Sequence, residues 1–214
     1  MVKFALKTAN APYDRQANSY DRRWRRYVTS TLNFLRASIS FDPSETILDI
    51  GCGTGEFERL ILSECPEQRM VGIDISEKML RLARRKCSAY PTATFLRANA
   101  SALPFPDRTF DLVVSASAFH YFDQPKVSLE EMRRVLIPGG SVVILDWCKD
   151  YLMCRLFDLI LKRIEPGYHA CYTQRDFHRL LSIDGFEIRS ADRIRFGWTW
   201  GLMKVVAVSR TLTR

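Results

Sequence analysis

Asp49 stands two residues ahead of three alternating glycines, Gly51, Gly53 and Gly55, and Asp74 follows 19 residues after the last of them. A turn without Cβ atoms lets the backbone lie close against a flat, polar ligand. A carboxylate where Asp74 stands can accept both hydroxyls of a ribose at once, a device that dinucleotide enzymes also use. The dinucleotide pattern G-x-G-x-x-G, however, needs its third glycine where this chain has Glu56, and that glycine permits close helix–strand packing over a pyrophosphate. The residues are those of a site for a nucleoside-like ligand, with an acid on the strand that enters the turn.

The surrounding sequence supplies the elements to position them. Ile47, Leu48 and Ile50 form a short apolar run, the mark of a buried parallel strand, and Glu56 to Leu62 take up helical spacing directly after the turn. Met70 to Asp74 reads as a second buried strand, with Ser76 capping the helix that follows. Thr94–Arg97 is a short third strand and Leu112–Ser115 a fourth, with Ala116 to Tyr121 at its mouth. Ligands of a doubly wound sheet gather beside its first and fourth strands, which places His120 near any bound molecule. Ser128-x-x-Glu131 reads as a capping box opening a helix over Leu129–Leu136, after which Ile-Pro-Gly-Gly140 turns into a fifth strand, Ser141–Asp146.

The run Asp49-x-Gly51-x-Gly53-x-Gly55 resembles the first motif of the class I S-adenosylmethionine-dependent methyltransferases. The segment Asn99-Ala-Ser-Ala-Leu-Pro-Phe-Pro-Asp-Arg-Thr-Phe-Asp111 and the run Glu131-Met-Arg-Arg-Val-Leu-Ile-Pro-Gly-Gly140 are also similar to that family, in the same order. The resemblance implies a Rossmann-like α/β fold, a seven-stranded and mostly parallel sheet of order 3-2-1-4-5-7-6 whose last strand is antiparallel, with helices on both faces. It implies S-adenosylmethionine as cofactor. That molecule has a cationic amino group and no phosphate, so a strand carboxylate suits it where a dinucleotide would be repelled. The glycine turn, Gly51, Cys52, Gly53 and Gly55, would pass beside its amino acid end and Asp49 would help hold the ammonium. Asp74 would take the ribose, with Ile75 beside it, and Met79 either packs on the adenine or belongs to the core. The family's adenine-reading acid falls on Asn99, a departure whose Oδ can still accept from the adenine amino group, and Ala100 would supply a backbone N–H. Ser115, at the end of the fourth strand, completes the set of cofactor contacts. Tyr13 and Tyr20 stand in a segment resembling the N-terminal lid of small-molecule methyltransferases, where aromatic residues close over the cofactor.

Ser-Ala-Ser-Ala-Phe-His120-Tyr-Phe replaces the Asn/Asp-Pro-Pro-Tyr/Phe motif of amino-methylating nucleic-acid enzymes and reads like the small-molecule branch that includes ubiquinone and menaquinone C-methyltransferases. A methyl acceptor that is a small O, N or C nucleophile, aromatic or lipophilic, is therefore expected, and no nucleic acid partner. Methyl transfer needs a base only where the acceptor holds its proton at neutral pH. His120, Tyr20 and Asp146 are the candidates in that order, His120 serving as base, as a residue that stacks on or orients the substrate, or only as packing.

A chain of 214 residues with 47% hydrophobic and 26% charged residues is long enough for one domain with an ample core. The expected division is an N-terminal lid and helix over 1–40, a cofactor-binding core over 41–146, a substrate-covering insertion over 147–183 and a C-terminal hairpin over 184–214. No apolar run reaches the roughly 20 residues that span a bilayer, the first residues do not form a signal h-region, and six cysteines scattered without pairing read as reduced thiols, so a cytoplasmic setting is expected. Cys148, Cys154, His169, Cys171 and His178 lack zinc-like spacing, so no metal is expected. The net charge of +8 allows an anionic partner, including peripheral contact with a membrane, without choosing one. Trp24, Val28, Leu32, Leu35 and Ile39 recur at helical spacing over Asp21–Ser40, with arginines off that stripe. Asp150–Glu165 reads as a two-faced helix with Leu152, Met153, Leu156, Phe157, Ile160, Leu161 and Ile164 on one side and Arg155, Lys162 and Arg163 on the other, the apolar side serving either as core or as a lid over a lipophilic acceptor. Tyr151, Tyr168, His169 and Tyr172 are within reach of the pocket on this reading. Beyond it, Thr173-x-x-Asp176 caps a helix to Ser182, and strands follow at Phe186–Ala191 and, past Trp198 and Trp200, at Leu202–Ser209. Rival readings are an NAD(P)-dependent oxidoreductase, a catalytically silent cofactor-binding protein, a nucleic-acid methyltransferase and an arsenite methyltransferase that would need Cys148 or Cys171.

Overall fold

The computed structural model describes residues 11–165, 167–197 and 200–210, apart from the side chains of residues 11–16 and 18. Tyr13's side chain and Trp198 thus lie outside the described residues. A long helix α1 (Ala11–Ser38) precedes β1 (Thr46–Ile50), α2 (Glu56–Glu64), β2 (Arg69–Asp74), α3 (Glu77–Lys86) and β3 (Ala93–Arg97). Then come β4 (Phe110–Ala116), a 3₁₀ turn at Phe119–Tyr121, α4 (Pro125–Val135), β5 (Leu136–Trp147), α5 (Leu152–Ile164), α6 (Gln174–Ile183), β6 (Phe186–Phe196) and β7 (Trp200–Ser209). The seven strands form one sheet of order β3-β2-β1-β4-β5-β7-β6, parallel through β5, with β7 antiparallel to both its neighbours. This is the topology that the sequence motifs imply.

The inner strands are apolar almost throughout because the sheet is covered on both faces. Leu48, Ile50, Val113 and Ile144 point to one face, beneath Leu129 and Met132 of α4 and Phe177 and Leu181 of α6. Ile47, Leu112, Val114, Val143 and Leu145 point to the other, beneath Leu35 of α1, Phe57 and Ile61 of α2 and Cys154 of α5. Asp49, one residue before the end of β1, lies beside Gly72 of β2 and Val114 of β4 in register.

Several local expectations change. α1 begins at Ala11, well before Asp21, where the expected apolar stripe starts. Ser128 does not cap α4. The helix opens at Pro125, whose missing N–H costs nothing at the first helical position, and Ser128 lies a turn inside, its hydroxyl donating to the Gln124 carbonyl. Glu131 serves elsewhere: it accepts from the Leu103 N–H at 2.7 Å and pairs with Arg134, whose guanidinium also donates to the Leu103 and Phe105 carbonyls and to Asp107. The Leu-Pro-Phe segment is thus clamped to α4. β5 begins at Leu136, so the Pro-Gly-Gly run is part of the strand, and its pairing with β4 slips between Phe110 and Leu112. Ser76 and Thr173 cap their helices as expected, accepting from the N–H groups of Met79 and Asp176.

One buried carboxylate fastens the segment after β5. Asp158 of α5 is fully buried, and it accepts from the Cys171 N–H at 2.9 Å and the Tyr168 hydroxyl at 3.0 Å while pairing with Lys149 and Lys162. Burial pushes its pKa up, but these donors prevail and hold it down at about 2. A depressed carboxylate stabilises the fold above its ordinary value of 3.8 and loses that contribution as pH falls through 2. Asp158→Asn leaves two lysines facing a neutral group and is expected to cost about 3 kcal/mol. Urea unfolding at pH 7 measures the loss, and the variant should show a flatter decline between pH 4 and pH 2 than the wild type.

Candidate active site

The loop between β1 and α2 is shaped by its glycines. Gly51 has φ 83°, and a Cβ there would overlap that of Ala118, past the end of β4. Gly55 has φ 76° and lies against Ala83 of α3 in the same way. The turn can therefore run between β4 and α3 only with hydrogen in place of side chains. Above it lies a cleft with about 490 Å³ of empty space, continuous with solvent. Its floor is Asp49, Gly51, Cys52, Gly53 and Thr54; its roof is Tyr20, Tyr27, Val28, Thr31 and Leu32 of α1; Ala116 and Ser117 close the β4 side.

α1 is latched over this cleft by a polar cluster. The Thr54 hydroxyl donates to Asp21 at 2.6 Å, and Lys86 of α3 donates to Asp21 at 2.9 Å, to Thr54 at 3.0 Å and to Glu56 at 2.5 Å. On the other side the Tyr27 hydroxyl exchanges a hydrogen bond with Ser117 at 2.8 Å and accepts one from the Trp147 indole at 2.9 Å. Tyr20 lies between these anchors, half-buried. Burial, Tyr121, Asp74 and Asp21 all raise its pKa above the ordinary phenol value, so at neutral pH it is a hydrogen-bond donor and not a base.

Beneath the turn three carboxyl groups crowd together. Asp49 is 2% exposed and Glu58 of α2 fully buried, its Oε1 placed where a Cβ on Gly72 would come within 2.5 Å. Asp49 Oδ1 and both Glu58 oxygens find no donor among the described residues. Two buried carboxylates with no donor between them are satisfied only when they share a proton. Burial first, then Asp49, hold Glu58 well above the carboxylate range, so Glu58 keeps that proton and donates it to Asp49. Asp49 in turn is pushed up to about 7 by burial and by Asp74. An ammonium in the cleft above Asp49 would meet this unbalanced charge, which is the fit that a cofactor with an α-amino group requires.

Asp74 ends β2 and has both oxygens toward backbone: one accepts from Gly53 N–H at 3.0 Å, the other from Ser76 N–H at 2.8 Å. A carboxylate oxygen has two lone pairs, so a group held in this way by the backbone still suits paired hydroxyls. Ile75 is half-buried beside it, its carbonyl accepting from Arg97. Asn99 accepts from Ser101 N–H at 3.1 Å, which turns its side chain back on its own loop and leaves the amide NH₂ unused by that bond. Ala100 and Met79 are buried, at 6% and 2% exposure, and Cys52 at 8% lies among Leu80, Ala83 and Phe95. Ser115 is fully buried and donates to the Ile50 carbonyl at 3.0 Å, so its hydroxyl holds β4 against β1 under the cleft.

His120 and Asp146 form a buried pair. Asp146 Oδ1 is 2.6 Å from His120 Nδ1, and the carboxylate also accepts from the N–H groups of His120, at 2.9 Å, and Trp147, at 2.6 Å. A carboxylate can only accept, so Nδ1 is the donor in this contact. The ring is stacked on Trp147, 4.4 Å away at 14°, with Tyr121 at 4.2 Å and Tyr168 at 5.7 Å. The His120 carbonyl accepts from His169 and Ala170 N–H, which ties the loop fastened by Asp158 to the same place. Tyr172 packs elsewhere, on Phe119 and Phe177. The thiols near this region are occupied: Cys171 donates to the Trp147 carbonyl and Cys154 to Gly201, and burial raises both above the ordinary thiol value.

Tyr27, Thr54, Glu58, Ser117 and Trp147 were not singled out by sequence. Thr54 and Ser117 carry a signal, their places inside the glycine motif and the run that ends β4. The others depend on contacts between residues far apart in the chain or, for Glu58, on a charge in a helix that elsewhere faces solvent.

A family model described as a methyltransferase domain matches residues 48–144. A demethylmenaquinone methyltransferase of Thermotoga maritima is 32% identical over 204 residues, covering 88% of this chain and 84% of that one. A protein of the same name from Symbiobacterium thermophilum is 39% identical over 119 residues, 54% of this chain and 47% of its own, so the chain spans about half the length of some curated relatives it matches. Among solved structures, a chain from a complex with the Trm112 methyltransferase activator of Haloferax volcanii superposes with a TM-score of 0.81 at 21% identity, covering 93% of this chain and 98% of the other.

Asp49 supplies a pH test of the carboxyl cluster. A carboxyl raised in the folded state stabilises it fully below the ordinary value of 3.8 and loses that contribution as pH rises through 7. Glu58 shifts in the same direction, while Asp74, Cys52 and Lys86 face the pair. The melting temperature of the ligand-free protein is expected to fall between pH 5 and pH 8, and Asp49→Asn to flatten that fall. Calorimetry at fixed ionic strength checks it; an unchanged slope in the variant would contradict the shared proton.

Proposed function

The chain belongs to the class I S-adenosylmethionine-dependent methyltransferases, and on that footing we propose that it methylates a small lipophilic aromatic acceptor, a hydroquinone ring foremost. The observation that carries the acceptor class is the Asp146–His120 pair packed among the rings of Trp147, Tyr121 and Tyr168, with His120 itself 3% exposed, an aromatic cluster around one imidazole. The names of the Thermotoga and Symbiobacterium relatives support the hydroquinone.

When bound, S-adenosylmethionine supplies an electrophilic methyl group on a sulfonium. Asp49 with Gly51 and Gly53 would hold its amino acid end, Asp74 its ribose, and Ile75, Met79, Asn99 and Ala100 the adenine region. Tyr20 and Tyr27 on α1 roof the cleft, and the Asp21–Thr54–Lys86 cluster keeps that roof in place. His120 Nε2 would take the acceptor's hydroxyl proton. Its Nδ1–H, held by Asp146, fixes the tautomer and stabilises the imidazolium, so Asp146 orients the base and does not itself exchange protons with the acceptor. The resulting phenolate makes the ring carbon nucleophilic. After that carbon gains the methyl group its ring proton leaves to solvent, and the imidazolium returns its proton to the oxygen, restoring the hydroquinone. Cys148 and Cys171 do not serve an arsenite reaction on this reading, since burial pushes the Cys148 thiol up to about 11 and the Cys171 thiol higher.

Labelled S-adenosylmethionine offered with a prenylated hydroquinone, a simple phenol, a carboxylate and transfer RNA tests the acceptor. Label is expected on the hydroquinone carbon, and turnover confined to RNA or the carboxylate would overturn the reading. His120→Ala is expected to lower kcat about 100-fold or more with cofactor affinity within about threefold of wild type by calorimetry. Unchanged kcat would remove His120 from the chemistry.

A further inference from the structure

Helix α5 presents its apolar residues to water. Leu152, Leu156, Leu159, Ile160 and Ile164 are 77%, 47%, 55%, 40% and 67% exposed. The inner side is formed instead by Cys154 and Asp158, both fully buried, with Phe157 and Leu161 half-buried. Of the two readings of this stripe, core packing does not hold for its whole width: the apolar surface of α5 is wider than the core it meets, and the buried side is fixed by Asp158 and its four donors. At about 100° per residue the five exposed apolar side chains form one band roughly 140° wide. Arg155 and Lys162 lie along one edge, and Arg163 falls within the band at its last turn, all exposed.

Contiguous exposed surface of this kind marks a site that meets a partner, and the charge beside it selects which. Trp200 joins α5 to α1, with its ring 5.4 Å from Phe157 and 5.9 Å from Trp24. On α1 the residues around Trp24, namely Arg22, Arg23, Arg25 and Arg26, are all exposed. An apolar helical band edged by cations, with further arginines beside it on a chain of net charge +8, is complementary to anionic headgroups over acyl chains. No helix among the described residues is long and apolar enough to cross a membrane.

We propose that α5 docks in the headgroup–acyl boundary of an anionic bilayer, with the α1 arginines on lipid phosphates. The same rings lead inward: Phe157 to Trp200 at 5.4 Å, Trp200 to Trp147 at 4.9 Å and Trp147 to His120 at 4.4 Å. The docked helix would thus be joined to His120 by packed rings, and docking itself does not depend on which acceptor is used.

Flotation of the full chain with phosphatidylcholine vesicles, and with vesicles containing about a quarter phosphatidylglycerol, tests the proposal at low and high salt. The protein should float with the anionic vesicles at low salt and be released by high salt. Leu156→Glu with Ile160→Glu should lower vesicle binding at least about tenfold while S-adenosylmethionine affinity and the circular dichroism spectrum stay as in wild type. Replacing Arg155, Lys162 and Arg163 by glutamine should weaken binding to anionic vesicles about fivefold per charge removed. Absence of wild-type flotation would overturn the proposal, as would variants that float like wild type. So would a dimer in sedimentation equilibrium that the Leu156/Ile160 variant dissociates, since the band would then face a second copy.

Discussion

Placing carboxyl groups inside an apolar sheet is the constraint on which the cofactor cleft depends. Asp49, Glu58 and Asp74 lie around one glycine turn, and Asp49 Oδ1 and the Glu58 carboxyl meet no donor among the described residues. Isolated buried charges of this kind are too costly to persist, so the cluster keeps a proton until a cation takes its place. This makes the cleft selective by charge before any shape is considered. A dinucleotide's phosphates would be repelled from the same place, in keeping with the absent third glycine at Glu56.

The second part of the site obeys the opposite rule. Asp146 is as buried as Asp49, yet three N–H groups point at it, and its charge is spent on orienting His120. Asp158 repeats the arrangement with four donors and holds the loop that packs on His120. Two carboxyl groups, Asp49 and Glu58, are left without donors at the cleft, and two others are fully satisfied where geometry has to be rigid. The division separates ligand binding from support on electrostatic grounds alone.

Much of this was legible in the sequence because close backbone packing and strand order leave marks on neighbouring residues. The alternating glycines announce the turn, the apolar runs announce doubly covered strands, and Asp49 and Asp74 fall where the sheet ends. Side-chain partners across long separations leave no such mark: Tyr27 meets Trp147 across 120 residues, and nothing near either predicts it. Glu58 reads as one more charge on a helix until the helix is laid on β2. For α5, helical periodicity identified an apolar side but not how much of it the core would cover; Asp158, a charge that the pattern assigns outward, turns inward because Lys149, Tyr168 and Cys171 meet it there. Ser128 fitted a capping pattern that Pro125, three residues earlier, had already displaced.

The most direct measurement compares calorimetric binding of S-adenosylmethionine with that of an analogue lacking the α-amino group, in wild type and in Asp49→Asn. If Asp49 and its proton-sharing partner form the ammonium site, removing the amino group should weaken binding about tenfold or more in the wild type and by much less in the variant. Equal losses in the two proteins would place the ammonium elsewhere and contradict the account of the cleft.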